Sequence, residues 1–208
     1  MMAACLTFVD GRGRDRNLAG SLPRQDPRPM LTTRLALVEP DLSHATGLAR
    51  ALADFDVARM LVDLPQPFHP GDALDWILTW RNGDRPGNAR VLTLRQEHAG
   101  FPLGQPAGVV TLEEKASGPV LDYWLARPLW GARLMGEAVS TMLARHFATR
   151  PDCPVRSGIM VDNPASLRLQ ERLGFAITGV RDVWSLPRGR MVHLIETELV
   201  ADRFTPDV

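Results

Sequence analysis

The segment from Asn163 to Phe175 contains the polar residues best placed to bind a ligand at the start of a helix. Asn163 follows an apolar run, so its side chain can cap a helix whose first position is taken by Pro164. Ser166 adds a hydroxyl group to the first turn, and Gly174 is a typical helix end. Capping and helix termination alone account for these residues, so the pattern suits ligand binding without requiring it.

A second candidate site lies where the predicted strand Val120–Ala126 turns at Pro128 into a predicted helix. The backbone N–H groups at a helix start are unpaired and carry the positive end of the helix dipole, so they suit phosphate groups. Gly131 and Gly136 allow a ligand to approach the backbone closely. Glycines at such turns also serve packing alone, and this segment by itself does not decide between the two roles.

These two segments belong to a chain whose hydrophobic pattern changes repeatedly between the strand and helix periods. The predicted strands are 31–38, 90–95, 107–113, 120–126, 155–161, 175–186 and 190–200, and the predicted helices are about 41–54, 57–61, 71–80, 131–148 and 165–173. Short connections with glycine and proline between the three middle strands indicate an antiparallel meander. We therefore predict a single mixed α/β domain.

We place this domain at residues 31–200. Residues 1–30 are rich in glycine, proline, arginine and aspartate and show no sustained apolar period, which predicts a flexible N-terminal extension. Residues 201–208 are predicted to form a short C-terminal tail.

The composition restricts what this domain can bind. The 208 residues carry 24 basic and 24 acidic side chains, so no net field attracts nucleic acid or an anionic membrane. No apolar run approaches the roughly 20 residues of a membrane span. Cys5 and Cys153 form no paired motif, and the five scattered histidines have no metal-ligand spacing. We expect a reduced, metal-free cytoplasmic protein without nucleic-acid or membrane partners.

In their order along the chain, several segments resemble the GNAT superfamily of acetyltransferases, specifically its RimJ/RimL-like branch. The most specific match is Asn163-x-x-Ser166 followed by Leu173-Gly174-Phe175. Further matches, spread over about residues 31–200, are Thr33-Arg34-Leu35 with Pro40-Asp41, Val57–Leu61 with Leu64-Pro65 and Pro67-Phe68, and Tyr123-Trp124-Leu125 continuing through Trp130-Gly131 to Glu137-Ala138.

The resemblance implies a single-domain GNAT acyl-CoA N-acyltransferase fold of the α/β, or α+β, type, in which helices flank a mixed and mostly antiparallel central sheet. It also implies that acetyl-CoA lies in a V-shaped opening between the strands 120–126 and 155–161. The pantetheine arm would bind backbone groups of Tyr123, Trp124 and Leu125 and the side chain of Asn163. The pyrophosphate would rest on the turn formed by Trp130, Gly131, Ala132, Arg133, Leu134, Met135 and Gly136.

The activity implied by the resemblance is transfer of the acetyl group to a primary amine by direct attack on the thioester. A base must remove the amine proton, and a backbone N–H near Leu125 would polarise the thioester carbonyl. Asp122 is the first candidate for the base, with Glu113 and Glu114 as alternatives. Ser166 would donate a hydrogen bond to the leaving thiolate.

The acceptor amine is left open among a protein N-terminus, an amino acid and another small amine. Phe68, His69 and the turn Arg188-Gly189-Arg190 are predicted to wall its pocket. The two arginines favour an acidic acceptor, unless they serve solubility alone. The oligomeric state is also open, with a homodimer among the options because dimers are common in this branch.

The turn that would hold the pyrophosphate departs from the family pattern at two positions. Alignment on Trp130-Gly131 places the central glycine of the pattern on Arg133 and its last small residue on Met135. Arg133 can pair with a phosphate through its guanidinium group, or its bulk can block the site. A non-catalytic binding module with the same fold is therefore the alternative hypothesis.

Overall fold

A computed structural model describes residues 28–207 and contains an eight-stranded sheet with helices on both faces. The strands are β1 Met30–Leu31, β2 Leu35–Val38, β3 Gly87–Leu94, β4 Pro106–Lys115, β5 Gly118–Leu125, β6 Val155–Met160, β7 Ala176–Ser185 and β8 Arg190–Leu199. Their order across the sheet is β1-β2-β3-β4-β5-β6-β8-β7. Neighbouring strands are antiparallel except β5 and β6, which are parallel. The predicted mixed, mostly antiparallel sheet is confirmed.

Five α-helices occur within residues 28–207, and they are α1 Ala45–Leu52, α2 Phe55–Ala58, α3 Pro70–Arg81, α4 Leu134–Thr149 and α5 Pro164–Leu173. The first three lie between β2 and β3 in the sequence, whereas α4 connects β5 to β6 and α5 connects β6 to β7. Short 3-10 helices at Leu42–His44, Arg127–Leu129 and Ala201–Arg203 precede α1, follow β5 and follow β8.

The two faces of the sheet bury separate apolar clusters, because successive residues of a strand point to opposite faces. On β5, Leu121, Tyr123 and Leu125 join the cluster that includes α4 and α5, whereas Trp124 joins the cluster that includes α1, α2 and α3. By the same alternation, Asp122 shares the face of Trp124. β5 therefore presents different chemistry to the two sides of the domain.

The prediction of one continuous first strand, 31–38, is wrong, because the chain turns back between β1 and β2. These two strands pair with each other, and Met30 lies opposite Leu37. Thr32 stabilises the turn, since its backbone N–H donates to the Leu35 carbonyl at 2.9 Å and its hydroxyl accepts the Leu35 N–H at 2.9 Å. A hydroxyl that bonds to nearby backbone competes with strand pairing, which a period-2 pattern does not reveal.

The long helix predicted from Gly131 begins at Leu134 instead. Gly131 has a φ of 82°, and Arg133, the residue before the helix, has a φ of 59° and a ψ of 14°. Both lie in the left-handed region, so neither can continue a right-handed helix. Residues 131–133 therefore form a loop that leads to the start of α4 and are not its first turn.

Regular structure continues past both predicted limits of the domain. Residues 1–27 of the predicted extension lie outside the described residues, whereas Met30 already belongs to β1. After β8, the residues predicted to form a tail include a 3-10 helix, and Phe204 packs against the cluster beneath α4 and α5. The C-terminal residues up to 207 therefore lie against the domain.

Candidate active site

The central opening of the sheet lies between the two parallel strands, β5 and β6. Only two residue pairs join them, Val120 with Arg156 and Leu121 with Ser157. At the last pair, the Ser157 hydroxyl donates to the Leu121 carbonyl at 2.8 Å. Beyond this point, β5 continues to Leu125 without pairing to β6. The strands predicted to splay therefore separate, and one edge of β5 is left for another partner.

Tyr123 and Leu125 direct their backbone groups to this open edge. Ala126 donates its N–H to Ala107 at the end of β4 at 2.8 Å, and the backbone groups of an antiparallel ladder alternate between the two edges of a strand. The groups of Trp124 accordingly point towards β4, with Val109 opposite. Of the three residues predicted to offer backbone groups, two are oriented for that role.

Trp130 closes the far end of the open edge. Its indole N–H donates to the Leu125 carbonyl at 2.8 Å, across the 3-10 helix that follows β5. Because of this bond, the Leu125 carbonyl is not available to a ligand, whereas the Leu125 N–H is. The opening thus offers the N–H and C=O of Tyr123 and the N–H of Leu125.

The loop Gly131–Arg133 leads to the start of α4 in a conformation that normally selects glycine. Arg133 adopts a left-handed backbone, which costs a non-glycine residue roughly 1 kcal/mol. Its side chain is exposed. Met135 is fully buried in the apolar cluster beneath α4. The bulk of Met135 therefore lies in the core and not on the surface of the first turn.

Glu137 ties this loop to the turn between β1 and β2. Its carboxylate accepts the backbone N–H and the Nε–H of Arg34, both at 2.8 Å, and also the Thr32 hydroxyl. Arg34 in turn donates to the Ala132 carbonyl at 2.8 Å. Partial burial acts to raise the pKa of Glu137, but the bonds from Thr32 and Arg34 outweigh it and lower that pKa. The carboxylate near the helix start is thereby neutralised by Arg34.

Asn163 and Ser166 meet Tyr123 in the interior. The Asn163 side chain accepts the Ser166 N–H at 3.2 Å, which is the capping contact that the sequence predicts. The Ser166 hydroxyl lies 2.7 Å from the Tyr123 hydroxyl, and both side chains are fully buried. Burial raises the pKa of Tyr123 to about 12, although the bonds from Ser166 and Gln170 oppose the rise. Both hydroxyl groups therefore stay protonated at physiological pH.

Three further polar side chains extend this contact, and sequence reasoning did not identify them. Gln170 donates to the Ser157 hydroxyl at 2.8 Å and lies 3.4 Å from the Tyr123 hydroxyl, while Thr197 donates to the Gln170 carbonyl oxygen at 2.6 Å. Glutamine is mostly exposed in helices, whereas Gln170 is fully buried. A polar residue among the apolar positions of α5 was the available signal. The network fixes Tyr123 across β5, β6, β8 and α5.

Asp122 is a buried carboxyl on the opposite face of β5. It is 2% exposed, and burial together with the negative charge of Glu113 raises its pKa to about 8, while Arg85 and Lys115 act against the rise. A carboxyl with a pKa near neutrality exchanges protons readily at physiological pH. Perturbed carboxyls of this kind concentrate at functional sites. Asp122 thus has the acid–base properties that the sequence could not show.

The two alternative carboxylates are held in ion pairs. Glu113 accepts two bonds from Arg85, at 3.1 and 2.7 Å, and one from Lys115 at 2.6 Å. Glu114 pairs with Arg150. Their carboxylate oxygens are therefore already engaged by cations. Asp122 is the better candidate for a base.

The predicted walls of the acceptor pocket have structural contacts. Arg188 is nearly buried, donates to the Arg59 carbonyl at 2.7 Å and forms two bonds of 2.9 Å to Asp162. It therefore fastens the β7–β8 hairpin to the segment after α2, so the expectation that it attracts an acidic acceptor loses its basis. His69 is the residue before α3, and Phe68 is buried.

An apolar recess adjoins Trp124 on the same face of the sheet as Asp122. It is lined by Leu48, Leu52, Phe68, Ala73, Trp76, Val109 and Trp124. The indole N–H groups of Trp76 and Trp124 are buried and have no partner among residues 28–207. The lining of the recess is thus apolar except for the two indole donors.

No group of three or more histidine, cysteine, aspartate or glutamate side chains within residues 28–207 is arranged to hold a metal ion. None of the helices in that part of the chain is long and apolar enough to cross a membrane.

Comparison with known proteins gives a family match and many structural matches. The family model described as "Acetyltransferase (GNAT) domain" matches residues 34–176. Among curated proteins, none matches this chain by sequence. The family match covers β2 to the start of β7, and so includes both halves of the opening.

Solved structures with the same fold include three acetyltransferases. The ribosomal-protein-S5-alanine acetyltransferase from Vibrio fischeri is 16% identical with a TM-score of 0.69, over 86% of this chain and 100% of that one. A GNAT-family acetyltransferase from Bacillus anthracis is 12% identical with a TM-score of 0.68, over 84% and 99%. The microcin C7 self-immunity acetyltransferase, in complex with acetyl-CoA and AMP, is 16% identical with a TM-score of 0.65, over 81% and 93%. At these identities the matches establish the fold.

Proposed function

The chain belongs to the GNAT acetyltransferase family, and we propose that it transfers the acetyl group of acetyl-CoA directly to a primary amine. The observation that carries the proposal is the separation of β5 from β6 beside Asp122, a buried carboxyl with a pKa of about 8. The acceptor class comprises protein N-termini, amino acids and other small amines, and the similar fold of an acetyltransferase acting on a ribosomal protein supports the first of these.

The cofactor arm is assigned to the open edge of β5. An extended pantetheine chain carries amide groups that pair with a strand edge as another strand would. Tyr123 and Leu125 would supply the backbone groups, and the Leu125 N–H would polarise the thioester carbonyl. Asn163 caps α5 at the other side of the opening and would contact the same arm. A solved structure of the same fold holds acetyl-CoA, which supports this assignment.

The phosphates are assigned to the start of α4. The N–H groups of the first turn and the helix dipole favour a negative ligand. Arg34 neutralises Glu137, so the carboxylate at this turn does not repel phosphate. The exposed Arg133 side chain would add a positive charge, as guanidinium groups do at phosphate sites.

The proposed chemistry divides between the two faces of β5. The amine would approach from the face of Asp122, which takes a proton from it. The nitrogen then forms a bond to the acetyl carbonyl carbon, and the bond from that carbon to sulfur breaks with its electron pair left on sulfur. The leaving thiolate would face Tyr123 and Ser166, whose hydroxyl groups hold two protons and share one hydrogen bond. The proton not used in that bond would form a hydrogen bond to the thiolate, which takes up a proton from solvent as it leaves, and the proton on Asp122 returns to solvent.

The alternative, a non-catalytic module, draws its support from the two replacements in the phosphate turn. Burial of Met135 in the core weighs against it, because this side chain then takes no space from a ligand at the start of α4. Under the alternative, Asp122 would have no task, yet its burial opposes folding at neutral pH.

Calorimetry with acetyl-CoA, followed by a thiol-release assay over a panel of amines, tests the proposal. The panel includes peptides with free and blocked N-termini, amino acids and small diamines. We expect saturable binding and thiol release that depends on a free amine. Binding without release for every amine class would favour the module, and absence of binding at millimolar acetyl-CoA would overturn the proposal.

A further inference from the structure

The C-terminal segment crosses the groove between α4 and α5. After the 3-10 helix Ala201–Arg203, the Thr205 N–H donates to the Leu173 carbonyl at the end of α5 at 3.1 Å. Two residues later, the Asp207 N–H donates to the Ser140 hydroxyl of α4 at 2.8 Å. The segment 205–207, named here the C-terminal strap, therefore runs from the end of one helix to the first half of the other.

The strap has a firm base at the preceding residue, Phe204, and a weakly held tip at Asp207. At its base, Phe204 packs against the apolar cluster, with its ring centroid 5.6 Å from that of Phe147. Thr205 and Pro206 are exposed. The tip is held by the bond to Ser140 and by an ion pair of 2.8 Å between Asp207 and Arg172, whose side chain is 46% exposed. Exposed ion pairs contribute little to stability, so the tip can leave while the base remains.

Glycine residues shape the path of the strap. A Cβ atom on Gly136 would overlap the Asp207 carboxylate, and one on Gly174 would overlap the Arg203 carbonyl oxygen. Gly136 lies in the first turn of α4, where backbone N–H groups have no partner within the helix. The chain thus brings a carboxylate against the turn that attracts anions.

We infer that the C-terminal strap is an intramolecular competitor of acetyl-CoA, with the Asp207 carboxylate lying where a cofactor phosphate binds. The inference rests on the proposed function, because it requires that the phosphates lie at the start of α4. Arg172 has the same task in both states, since it pairs with Asp207 in the closed state and with a phosphate once the cofactor displaces the strap.

The burial of the cofactor-facing side chains agrees with a closed state. Asn163 and Ser166 have no solvent exposure in the structure that contains the strap. In the proposed binding mode the cofactor reaches them between α4 and α5, and the strap is attached to both helices across that groove. Displacement of the tip is the smallest movement that frees the entrance.

Binding of acetyl-CoA to three chains tests the inference. The first ends at Phe204 and so lacks residues 205–208, the second is Asp207→Asn in the full chain, and the control is Asp202→Asn, an exposed acidic residue of the 3-10 helix. We expect the dissociation constant, measured by calorimetry, to fall about 5- to 30-fold in the shortened chain and about 2- to 5-fold in Asp207→Asn. The control is expected to equal the parent.

Each other outcome has a definite meaning. Equal dissociation constants in the parent, the shortened chain and Asp207→Asn would overturn the inference that the strap competes with acetyl-CoA. The proposed function would be unaffected. Weaker binding in either variant would also overturn the inference, because the strap would then belong to the cofactor site. If no chain binds acetyl-CoA, the proposed function fails and the strap fails with it. Should the shortened chain not fold by circular dichroism, Asp207→Asn carries the same comparison.

Discussion

The hydroxyl groups of Tyr123 and Ser166 lie 2.7 Å apart, with no solvent exposure on either residue. Tyr123 belongs to β5 and Ser166 to the first turn of α5, so the contact spans the opening between the strands. Through this pair, the two sequence segments proposed to hold acetyl-CoA are in direct side-chain contact. It is therefore the first target for substitution.

Tyr123→Phe and Ser166→Ala are each expected to lower kcat about 10- to 100-fold, because each removes one hydroxyl of the pair that would form a hydrogen bond to the leaving thiolate. The KM for acetyl-CoA should change less, since the backbone edge of β5 is untouched. Ser185→Ala is the matched control, as the Ser185 hydroxyl is buried with no partner among the described residues and lies outside the opening. Unchanged kcat in both site variants would remove the hydroxyl pair from the mechanism.

Asp122→Asn is expected to abolish most amine transfer and to alter its pH dependence. In the parent, kcat/KM should rise with pH through about 8 as the carboxyl ionises, because burial raises the pKa of Asp122 to that value. The residual activity of the variant should lack this step. A variant that retains the same pH step would show that another group is the base.

The same substitution is expected to stabilise the fold. The pKa of Asp122 lies above its value of 3.8 in an unfolded chain, so the group lowers stability progressively as pH rises from about 4 to about 8. An asparagine side chain at this position carries no such penalty, and urea unfolding at pH 7 should show a gain of roughly 1–4 kcal/mol. At pH 4 the gain should largely vanish, which distinguishes the charge effect from a packing effect.

The order of elements was predictable because each depends on a local period. The strands at 107–113, 120–126 and 155–161 occur as β4, β5 and β6. The separation of β5 from β6 was expected from the family resemblance and not from a local period. Residues that act over long sequence distances were not predictable in the same way. The partner of Glu137 is Arg34, 103 positions away, and a single sequence contains no signal for such a pair.

Other misses have a different physical origin, which is that one residue type suits two environments. Arg188 in a hairpin turn resembles a solvated arginine, yet it is nearly buried against Asp162. Gln170 resembles a surface helix residue, yet it links three elements in the interior. Both side chains are buried, and burial depends on the packed fold and not on the local sequence pattern.

Glu137→Gln is expected to weaken acetyl-CoA binding about 5- to 20-fold and to lower the free energy of unfolding by about 1–2 kcal/mol, because hydrogen bonds to a charged group are lost at the loop. The hydrogen bonds from Thr32 and Arg34 lower the pKa of Glu137, so the stability difference from the parent should be present above pH 4.5 and should decline as pH falls through the lowered value. Glu196→Gln, in the exposed pair with Arg181, is the matched control and should change neither quantity.

Arg133→Gly separates the two hypotheses for the phosphate turn. The left-handed backbone of residue 133 suits glycine, so the substitution should stabilise the fold by about 1 kcal/mol in thermal unfolding. If Arg133 contributes charge to the site, the affinity for acetyl-CoA should fall several-fold at low ionic strength, with the difference reduced at high salt. If Arg133 blocks the site instead, affinity should rise.

Met135→Ala, alone and with Arg133→Gly, completes this comparison. Met135 is fully buried, so its truncation should cost about 2–5 kcal/mol of stability and add nothing to cofactor affinity. In the family pattern this position is small, and the module hypothesis requires the double variant to gain acetyl-CoA binding that the parent lacks. The module hypothesis would be excluded if the parent binds acetyl-CoA and the double variant binds it less tightly. In that case the substitutions would have removed the charge of Arg133 without opening a site.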